Sequence, residues 1–293
     1  MTQAAPMAGR VCLVTGATSG IGKATATGLA HLGADLVLVA RDPARGAATM
    51  AEIRTVTGNP RIELLQADLS SQAAIRHAAE DYRRGHDRLH VLVNNAGGQW
   101  ATRHTTADGL ELTFAVNHLA YFLLTNLLLD LLRAGAPARI VNVTSSAQAF
   151  GDIHFDDLQF ERRYRGQAAY NQSKLANVLF TYELAHRLDG TGVTVNCLAP
   201  GVTRTNFGRD DSGPVMRLLT PLARPFMRSP EEGAATAVWL ASSPQAEAVT
   251  GRYYLRRRAR PTPRRSSRRS YDTELARRLW QVSEELTGLR QPA

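Results

Sequence analysis

The sequence predicts an α/β protein in which helices cover both faces of one doubly wound parallel sheet. Two observations support this prediction. Apolar segments of strand length alternate regularly with longer helical segments, and glycine, asparagine or serine follows several of the strands. A hydrophobic content of 44% in 293 residues is enough for one large core and argues against disorder. Since neither an internal repeat nor an interdomain linker is evident, we expect a single domain.

The first two hundred residues contain six predicted strands separated by helices. The strands are short and rich in valine, leucine and isoleucine, which is typical of strands buried on both faces of a sheet. They are residues 10–15, 35–40, 61–67, 89–93, 139–143 and 193–198. The first predicted helix ends near residue 32, and the second covers residues 43–56. The third begins near residue 71, the fourth covers 108–132, and the helix that contains Tyr170 continues through residue 188.

The remaining chain is expected to add a lid, two helices and an edge strand. Residues 204–228 form a long, loosely apolar segment, which we interpret as a substrate lid or as a segment packed on the body. Ser229-Pro230-Glu231-Glu232 is typical of a helix start, with a cap, a proline and acids near the positive end of the helix dipole. Tyr253-Tyr254 is predicted to be an edge strand, and residues 272–286 a final amphipathic helix.

The net charge of +9 arises from one segment near the C-terminus. Nine arginines and no acidic residue lie between Arg252 and Arg269, and the rest of the chain has 26 basic and 26 acidic residues. Such a segment fits a polyanion or a membrane surface. Because few aromatic residues are interleaved, we favour a solvated, partly disordered loop and predict no specific nucleic-acid partner.

Hydropathy and cysteine content set expectations for compartment and metal binding. The first strand begins near Arg10, which leaves no room for a signal peptide. The longest uncharged segment, 112–129, contains two asparagines and a histidine, which favours a buried helix over a membrane span. Cys12 and Cys197 are too few for a metal cluster or a disulfide framework. We therefore expect a cytoplasmic protein with neither a metal nor a transmembrane segment.

A glycine-rich turn connects the first strand to the first helix, with the spacing Gly-x-x-x-Gly-x-Gly. A strand, a glycine turn and a helix direct free main-chain N–H groups at a phosphate, and glycine allows an approach that a Cβ would block. A tight turn without a ligand is the alternative. The candidate phosphate contacts are Gly16, Thr18, Ser19, Gly20, Ile21 and Gly22.

The residues after the second strand bear on the choice between two dinucleotides. At this position an acidic residue accepts a hydrogen bond from a ribose 2′-hydroxyl, whereas an arginine can bind a 2′-phosphate. Arg41 follows Ala40 here and favours NADP over NAD. We interpret Asp42, which precedes Pro43, as the N-cap of the next helix.

Polar residues also follow the third, fourth and fifth strands. Asp68-Leu69 follows the third strand, where Asp68 is either a helix cap or a contact to the adenine end of a cofactor. Asn94-Asn-Ala-Gly97 ends the fourth strand, where open parallel sheets bind ligands, or it only stabilises a sharp turn. Thr144-Ser145-Ser146 follows the fifth strand and reaches the same edge.

Tyr170 and Lys174 lie four residues apart in a predicted helix, so their side chains share one face. Tyrosine has a pKa near ~10, but a neighbouring cation favours the phenolate and lowers that pKa. The pair is suited to proton exchange with a reacting oxygen; an exposed surface pair is the alternative. Of 35 lysines and arginines only Lys23 and Lys174 are lysines, which indicates that a compact ammonium is needed at these positions.

Asn117 lies in the most apolar helical segment of the chain. A buried amide without hydrogen-bond partners costs about 1–3 kcal/mol, so Asn117 must find partners inside the protein. It is therefore either a structural crosslink or a site residue.

Four of these motifs occur in the order that is typical of the short-chain dehydrogenase/reductase superfamily, which the sequence resembles over most of residues 10–203. They are Thr15-Gly-x-x-x-Gly20-x-Gly22, Asn94-Asn-Ala-Gly97, a serine after the fifth strand and Tyr170-x-x-x-Lys174. The retinol dehydrogenase-like branch is the most similar. The supporting segments are Arg139-Ile-Val-Asn-Val-Thr-Ser145, His154-Phe-Asp-Asp-Leu-Gln159, Ser173-Lys-Leu-Ala-Asn177 and Arg278-Leu-Trp-Gln-Val-Ser283.

The resemblance implies a Rossmann fold and a catalytic tetrad of Asn117, Ser145, Tyr170 and Lys174. In such enzymes hydride moves between nicotinamide C4 and a carbonyl carbon while Tyr170 exchanges the proton at oxygen. Ser145 would bond the alkoxide, Lys174 would hold the nicotinamide ribose and lower the pKa of Tyr170, and Asn117 would order a water. Ser145 is preferred to Ser146 because it aligns with the catalytic serine of the branch. The implied cofactor contacts beyond the glycine turn are Arg41, Asp68, Leu69, Asn94, Ala96, Gly97, Tyr170, Lys174, Pro200, Gly201 and Thr203.

The expected activity is NADP(H)-dependent oxidation or reduction of a small apolar alcohol, aldehyde or ketone. Residues 1–255 would form the dinucleotide-binding and catalytic domain, and 256–293 would pack on it. Relatives often form dimers or tetramers through helices that correspond to those starting near Asp108 and Ala168. A non-catalytic NADP-binding regulator or scaffold is the alternative. Gly98-Gln99-Trp100 departs from the smaller apolar residues usual in the branch.

Overall fold

One eight-stranded sheet lies at the centre of the computed structural model, which describes residues 5–201, 203, 228–255 and 263–289. Its strands in chain order are Val11–Thr15 (β1), Asp35–Ala40 (β2), Ile62–Gln66 (β3), Val91–Asn94 (β4), Ala138–Val143 (β5), Val193–Ala199 (β6), Arg252–Leu255 (β7) and Pro263–Arg264 (β8). Their order across the sheet is β3-β2-β1-β4-β5-β6-β7-β8. All pairs are parallel except β7 with β8. The predicted doubly wound sheet is confirmed, and its order reverses between β1 and β4, where such sheets form a ligand crevice.

Helices cover both faces of this sheet. They are Gly20–His31 (α1), Pro43–Thr57 (α2), Gln72–Gly85 (α3), Leu112–Phe114 (α4), Ala120–Leu127 (α5), Leu129–Ala134 (α6), Gly166–Arg187 (α7), Pro230–Ser242 (α8) and Thr273–Thr287 (α9). Short 3₁₀ helices occupy Ser146–Phe150, Pro244–Ala246 and Arg268–Tyr271. One apolar cluster packs α3, α5 and α7 against the first face, and a second packs α1 and α8 against the other.

The predicted long helix over residues 108–132 is interrupted in the structure. It begins only at Leu112, because the Glu111 carboxylate caps the main-chain N–H groups of Thr113 and Phe114, at 2.7 Å each. A π-helix over Ala115–Leu119 then joins α4 to α5. Such turns insert one extra residue and are frequent at functional sites.

Helix caps confirm two predictions and correct a third. Asp42 Oδ1 accepts hydrogen bonds from the N–H groups of Ala44 at 2.9 Å and Arg45 at 3.1 Å, so Asp42 caps α2 as predicted. Ser229 forms the predicted cap of α8 together with Glu232. The cap of α3 is Ser71 rather than Asp68, which was the candidate from the sequence.

The described part of the arginine-rich segment, residues 263–269, is largely exposed as expected, but it is ordered and anchored to the body rather than disordered. Arg264 pairs with Tyr253 across the two edge strands. Arg269 forms an ion pair with Asp152 at 2.7 Å. The N–H of Ser267 donates to Gln148 Oε1 at 3.1 Å. These partners are distant in sequence, which is why composition alone did not reveal them. The predicted lid lies outside the described residues except for Arg228.

In the described ranges, no helix combines the length and the apolar character that crossing a membrane requires. The final helix, α9, begins at Thr273 with Asp272 as its N-cap, close to its predicted bounds.

We expect Gly22→Ala to destabilise the fold, because a Cβ at this position would lie 2.2 Å from the main-chain oxygen of Gly16 and 2.3 Å from Asn95 Nδ2. Overpacking of this kind should lower the free energy of unfolding by about 1–3 kcal/mol. Urea denaturation measures this free energy. Gly85→Ala is the matched control, since no atom lies within 4 Å of its Cβ position. It should be unchanged or up to about 1 kcal/mol more stable. Equal stabilities of Gly22→Ala and the wild type would contradict the prediction.

Candidate active site

Side-chain hydrogen bonds join the carboxyl ends of β1 and β4. Thr15 Oγ1 donates to the main-chain oxygen of Val93 at 3.3 Å and accepts from the N–H groups of Asn95 at 2.8 Å and Ala96 at 3.0 Å. Asn95 Nδ2 donates to the main-chain oxygens of Thr15 at 2.9 Å and Gly16 at 3.3 Å. Asn95 therefore stabilises the turn, one of the two roles considered for this motif, and it fixes the glycine turn beside β4.

The glycine turn has the geometry of a phosphate site. Gly16 and Gly20 have φ values of +64° and +52°, which favour glycine. Ser19, the N-cap of α1, makes no side-chain capping hydrogen bond, and no acidic residue lies in the first turn. The first N–H groups of α1 are thus available at the positive end of the helix dipole, which fits a diphosphate. Thr18, Ser19, Gly20 and Ile21 are partly exposed at this point.

Thr203 and Ile21 meet at the N-terminal end of α8. The Cβ position of Gly233 lies 3.0 Å from Thr203 Oγ1 and 3.3 Å from Ile21 Cγ1. Thr203 Oγ1 also donates to the main-chain oxygen of Gly201 at 3.1 Å. The end of β6 and the glycine turn, predicted as parts of one cofactor site, therefore lie next to each other. Pro200, the remaining predicted contact here, is buried.

Asn94 departs from its predicted role. Its side chain is fully buried, and Nδ2 donates to Thr125 Oγ1 at 3.0 Å and to Asn142 Oδ1 at 2.9 Å. The carboxamide points into the core beneath the crevice, so the cofactor contact predicted for Asn94 would have to come from its main chain. Ala96 is partly exposed and Gly97 is exposed at the edge, consistent with the prediction for them.

The adenine side of the crevice is formed by the residues after β2 and β3. Arg41 is exposed directly after β2. Asp68 Oδ1 accepts from the main-chain N–H of Ser70 at 2.9 Å and from its hydroxyl at 2.7 Å, which closes a turn. Leu69 is partly buried against the core.

Ser145, Tyr170 and Lys174 come together at the end of β5. Tyr170 is hydrogen-bonded to Ser145, whereas Ser146 is exposed at the start of a 3₁₀ helix, which supports the choice of Ser145. Lys174 Nζ lies 5.6 Å from the centre of the Tyr170 ring and donates to the main-chain oxygen of Val143 at 3.3 Å. The two residues that the sequence placed on one helical face therefore share one site.

Burial dominates the electrostatics of this pair. It raises the pKa of Tyr170 above the usual value, and the hydrogen bond with Ser145 opposes the shift only in part. The direction is opposite to the one predicted from Lys174. Burial also lowers the pKa of Lys174 to about 8, which weakens the positive charge that was expected to favour the phenolate. Tyr170 is thus held as a neutral phenol, the form that can donate a proton.

Asn117 lies in the π-helix, and its side chain is fully used. Nδ2 donates to the main-chain oxygen of Gly98 at 2.9 Å and to Ser173 Oγ at 3.0 Å. Oδ1 accepts from the N–H of Gly98 at 2.8 Å. Asn117 therefore fixes the main chain that follows the Asn-Asn-Ala-Gly motif.

Two buried groups near the site were not singled out in the sequence. Glu111 is completely buried, and besides capping α4 it lies 3.2 Å from the hydroxyl of Tyr164. That hydroxyl also donates to the main-chain oxygen of Trp100 at 3.1 Å. The irregular segment before α7 is thereby fixed to the loop after β4. In the sequence, only the position of Glu111 directly before an apolar helix could have indicated this role, and an acid at that position is typical of many ordinary helix caps.

His118 is the second of these groups. Burial lowers the pKa of its imidazole to about 4. The ring is tilted against Phe114 at 5.0 Å between centroids and meets Phe180 edge-on at 6.1 Å. Its ring nitrogens lie 3.2 Å from Asn177 Oδ1 and 3.0 Å from Ser283 Oγ.

A protein built on this plan is a nicotinamide-dependent oxidoreductase, since it pairs a diphosphate-binding turn with a proton-donating phenol at one sheet edge. The residues described include no group of three or more His, Cys, Asp or Glu side chains that could hold a metal ion. The sequence model of short chain dehydrogenases matches residues 10–213. The chain belongs to this family, and within it to the retinol dehydrogenase-like branch.

Known relatives extend over almost the whole chain. Human retinol dehydrogenase 14 is 42% identical over 298 residues, which cover 97% of this chain and 88% of the relative. An uncharacterised protein from Mycobacterium paratuberculosis has a crystal structure with a TM-score of 0.79 and 32% identity, covering 98% of this chain and 96% of that one. RhlG from Pseudomonas aeruginosa, solved as an active-site complex with NADP, has a TM-score of 0.69 and 32% identity, with coverages of 87% and 97%.

Lowering the pH from 6.5 towards 4 should destabilise the fold through His118. The unfolded chain binds a proton at this residue below about pH 6.5, whereas the folded protein does so only below about pH 4. The associated stability is complete above pH 6.5 and is lost as the pH falls, by up to about 3 kcal/mol. Urea unfolding of the wild type and of His118→Asn at several pH values measures it. Parallel curves for the two proteins would contradict the assignment.

Proposed function

We propose that this protein is an NADP(H)-dependent oxidoreductase that transfers hydride between the nicotinamide ring and a small apolar alcohol, aldehyde or ketone. The observation that carries the proposal is the grouping of Ser145, Tyr170 and Lys174 beside the phosphate-binding turn. The similarity to human retinol dehydrogenase 14 supports an apolar substrate, because retinol is an apolar alcohol. An intact catalytic group has no function in a non-catalytic scaffold, so we do not favour that alternative.

Each side chain has a role in the proposed reaction. A bound nicotinamide dinucleotide would supply or accept the hydride. The neutral hydroxyl of Tyr170 donates its proton to the oxygen of a carbonyl that is being reduced, which leaves a phenolate. In the oxidation of an alcohol that phenolate accepts the alcohol's proton and becomes the neutral phenol again. Ser145 hydrogen-bonds Tyr170 and lies where it can bond the same substrate oxygen. Lys174 lies behind Tyr170 and supports the developing phenolate.

Two residues after β2 support NADP rather than NAD. Arg41 is exposed there and can reach a 2′-phosphate. The neighbouring acid, Asp42, accepts two main-chain hydrogen bonds as the cap of α2, which reduces its capacity to bind a ribose hydroxyl. The structural neighbour RhlG was solved with NADP.

Replacing Tyr170 with phenylalanine should abolish turnover but retain the cofactor. We expect kcat to fall about 10²–10⁴-fold with a panel of hydrophobic aldehydes and ketones, because the proton donor is lost. NADPH oxidation measures turnover, and NADPH fluorescence measures binding. Tyr182→Phe, on the same helix, is the control that should remain active, since Tyr182 bonds Ser266 instead. An active Tyr170→Phe enzyme, or a wild type that reduces no carbonyl, would refute the proposal.

Arg41→Ala should weaken NADPH binding about 10–100-fold and leave NADH binding unchanged. The reason is the loss of charge-assisted hydrogen bonds, worth about 1.5–3 kcal/mol, to the 2′-phosphate. Titration of both coenzymes against Arg41→Ala and against the control Arg45→Ala, another exposed arginine four residues on, measures the effect. Equal losses for NADPH and NADH in Arg41→Ala would show that this side chain does not discriminate between them.

A further inference from the structure

A chain of buried hydrogen bonds connects the C-terminal helix α9 to the main chain of Asn117. Asn177 Nδ2 donates to the main-chain oxygen of Asn117 at 2.8 Å. Asn177 Oδ1 lies 3.2 Å from His118 Nδ1, and His118 Nε2 lies 3.0 Å from Ser283 Oγ. All four residues are at most 1% exposed, so water does not compete for these contacts.

The chemistry of the groups fixes the direction of the two bonds made by Asn177. The oxygen of Asn117 can only accept, so the NH₂ group of Asn177 faces it and Asn177 Oδ1 faces the histidine. That oxygen also can only accept, which places the imidazole proton on Nδ1. His118 is neutral, since burial lowers its pKa to about 4, so its Nε2 is an acceptor 3.0 Å from Ser283 Oγ. The Ser283 hydroxyl also donates to the main-chain oxygen of Leu279 at 2.7 Å, so its one proton is shared between these two acceptors.

The bond from Asn177 holds the π-helix in place. Within this turn the N–H of Ala120 donates to the oxygen of Ala115, five residues back rather than four. An extra residue of this kind is costly in an α-helix and persists where side chains compensate. The turn directs the Asn117 carboxamide to both main-chain groups of Gly98.

Asn117 in turn lies beside the reacting groups. The Cβ position of Gly97 is 2.9 Å from Asn117 Oδ1 and 3.5 Å from Lys174 Nζ, so both contact the same strip of main chain. Ser173, which accepts a hydrogen bond from Asn117, donates to the main-chain oxygen of Tyr170 at 2.8 Å. A rotation of the π-helix would therefore shift the wall that surrounds Lys174 and the turn of helix that carries Tyr170.

Aromatic rings surround the imidazole of His118 except where its two nitrogens meet Asn177 and Ser283. Its ring contacts Phe114, Phe122 and Phe180, and Trp280 of α9 closes this cluster against Phe122 at 4.8 Å and Phe180 at 5.8 Å. A hydrocarbon ring in its place could fill this space but would leave the buried Asn177 Oδ1 without a donor. The imidazole is the group in this cluster that can orient Asn177.

We propose that Asn177, His118 and Ser283 are positioning residues that hold Asn117 in its π-helix beside Lys174 and the helix that carries Tyr170. The C-terminal helix α9, which lies beyond residues 10–213 of the family match, is thereby part of the active-site machinery. The inference rests on the proposed function for its kinetic consequence. The hydrogen-bond chain itself is testable by a second, independent measurement.

The kinetic experiment compares His118→Phe, His118→Asn and Ser283→Ala with the wild type. His118→Phe should lower kcat about 10–100-fold and change KM for the coenzyme less than twofold; it should also lower Tm, because the buried Asn177 Oδ1 loses its donor. His118→Asn should restore kcat to within about fivefold, because its Nδ2 occupies nearly the place of the imidazole Nδ1 and can donate to Asn177. Ser283→Ala should reduce kcat about 3–10-fold.

Thr287→Val is the matched control on α9. Thr287 is as buried as Ser283, and its hydroxyl donates to main-chain oxygens rather than to His118. It should retain the kcat of the wild type. Wild-type kcat in His118→Phe, or a loss that His118→Asn does not restore, would overturn the proposal.

Amide hydrogen exchange supplies the independent measurement. Exchange in peptides covering residues 97–101 and 115–120 should become at least tenfold faster in His118→Phe and stay unchanged in Thr287→Val. If the wild type reduced no carbonyl, the proposed function would fail while the exchange ratio still decided the positioning role. Equal exchange in His118→Phe and the wild type would refute that role.

Discussion

The hydroxyl of Thr15 makes the contact on which the geometry of the crevice depends. It bonds main-chain groups on both sides of the turn after β4, while Asn95 bonds the turn after β1 from the opposite direction. Parallel strands on their own leave such turns free to separate, because the ladder hydrogen bonds end with the strands. The reciprocal bonds hold the turn after β1 against the turn after β4, and Gly22 is required because the two turns approach so closely. The predicted phosphate site and the residues after β4 are thus fixed relative to each other.

Burial determines the charge state of the reacting groups more strongly than their mutual attraction does. Lys174 is deeply buried, and its pKa of about 8 leaves it protonated at neutral pH but close to releasing its proton. Tyr170 is kept neutral by the same desolvation. The raised pKa keeps the proton on the phenol, and the neighbouring ammonium would stabilise the phenolate that forms when the proton is donated. The spacing of the motif predicts that Tyr170 and Lys174 lie together, but it does not predict how far they are buried from solvent.

The sequence predicted two helix caps and most of the strands correctly, because these features depend on residues that are close together in the chain. The caps Asp42 and Ser229 need only the adjacent N–H groups, and the strands need only apolar runs. Asn94 and Asn95 could not be separated in this way, since successive side chains alternate between faces and both faces of this sheet are covered. The π-helix that interrupts the long helix is bonded by Asn177, sixty residues away in sequence. Arg269 is likewise anchored by a distant residue, Asp152. Contacts between residues so distant in sequence cannot be predicted from hydrophobic periodicity. The extent to which a side chain is desolvated cannot be predicted from it either.

The helix α7 illustrates why a core dominated by apolar contacts needs a few polar ones at a site. Apolar packing is non-directional and tolerates small rotations of a helix about its axis, whereas hydrogen bonds are directional. Bonds reach α7 at successive turns: Thr144 Oγ1 donates to the main-chain oxygen of Lys174 at 2.7 Å, and Asn142 Nδ2 donates to Thr181 Oγ1 at 3.0 Å. Asn177 lies between these two points and faces the π-helix. Because hydride and proton transfer tolerate errors of only about 0.5 Å, a helix that carries both Tyr170 and Lys174 must be fixed in rotation as well as in position.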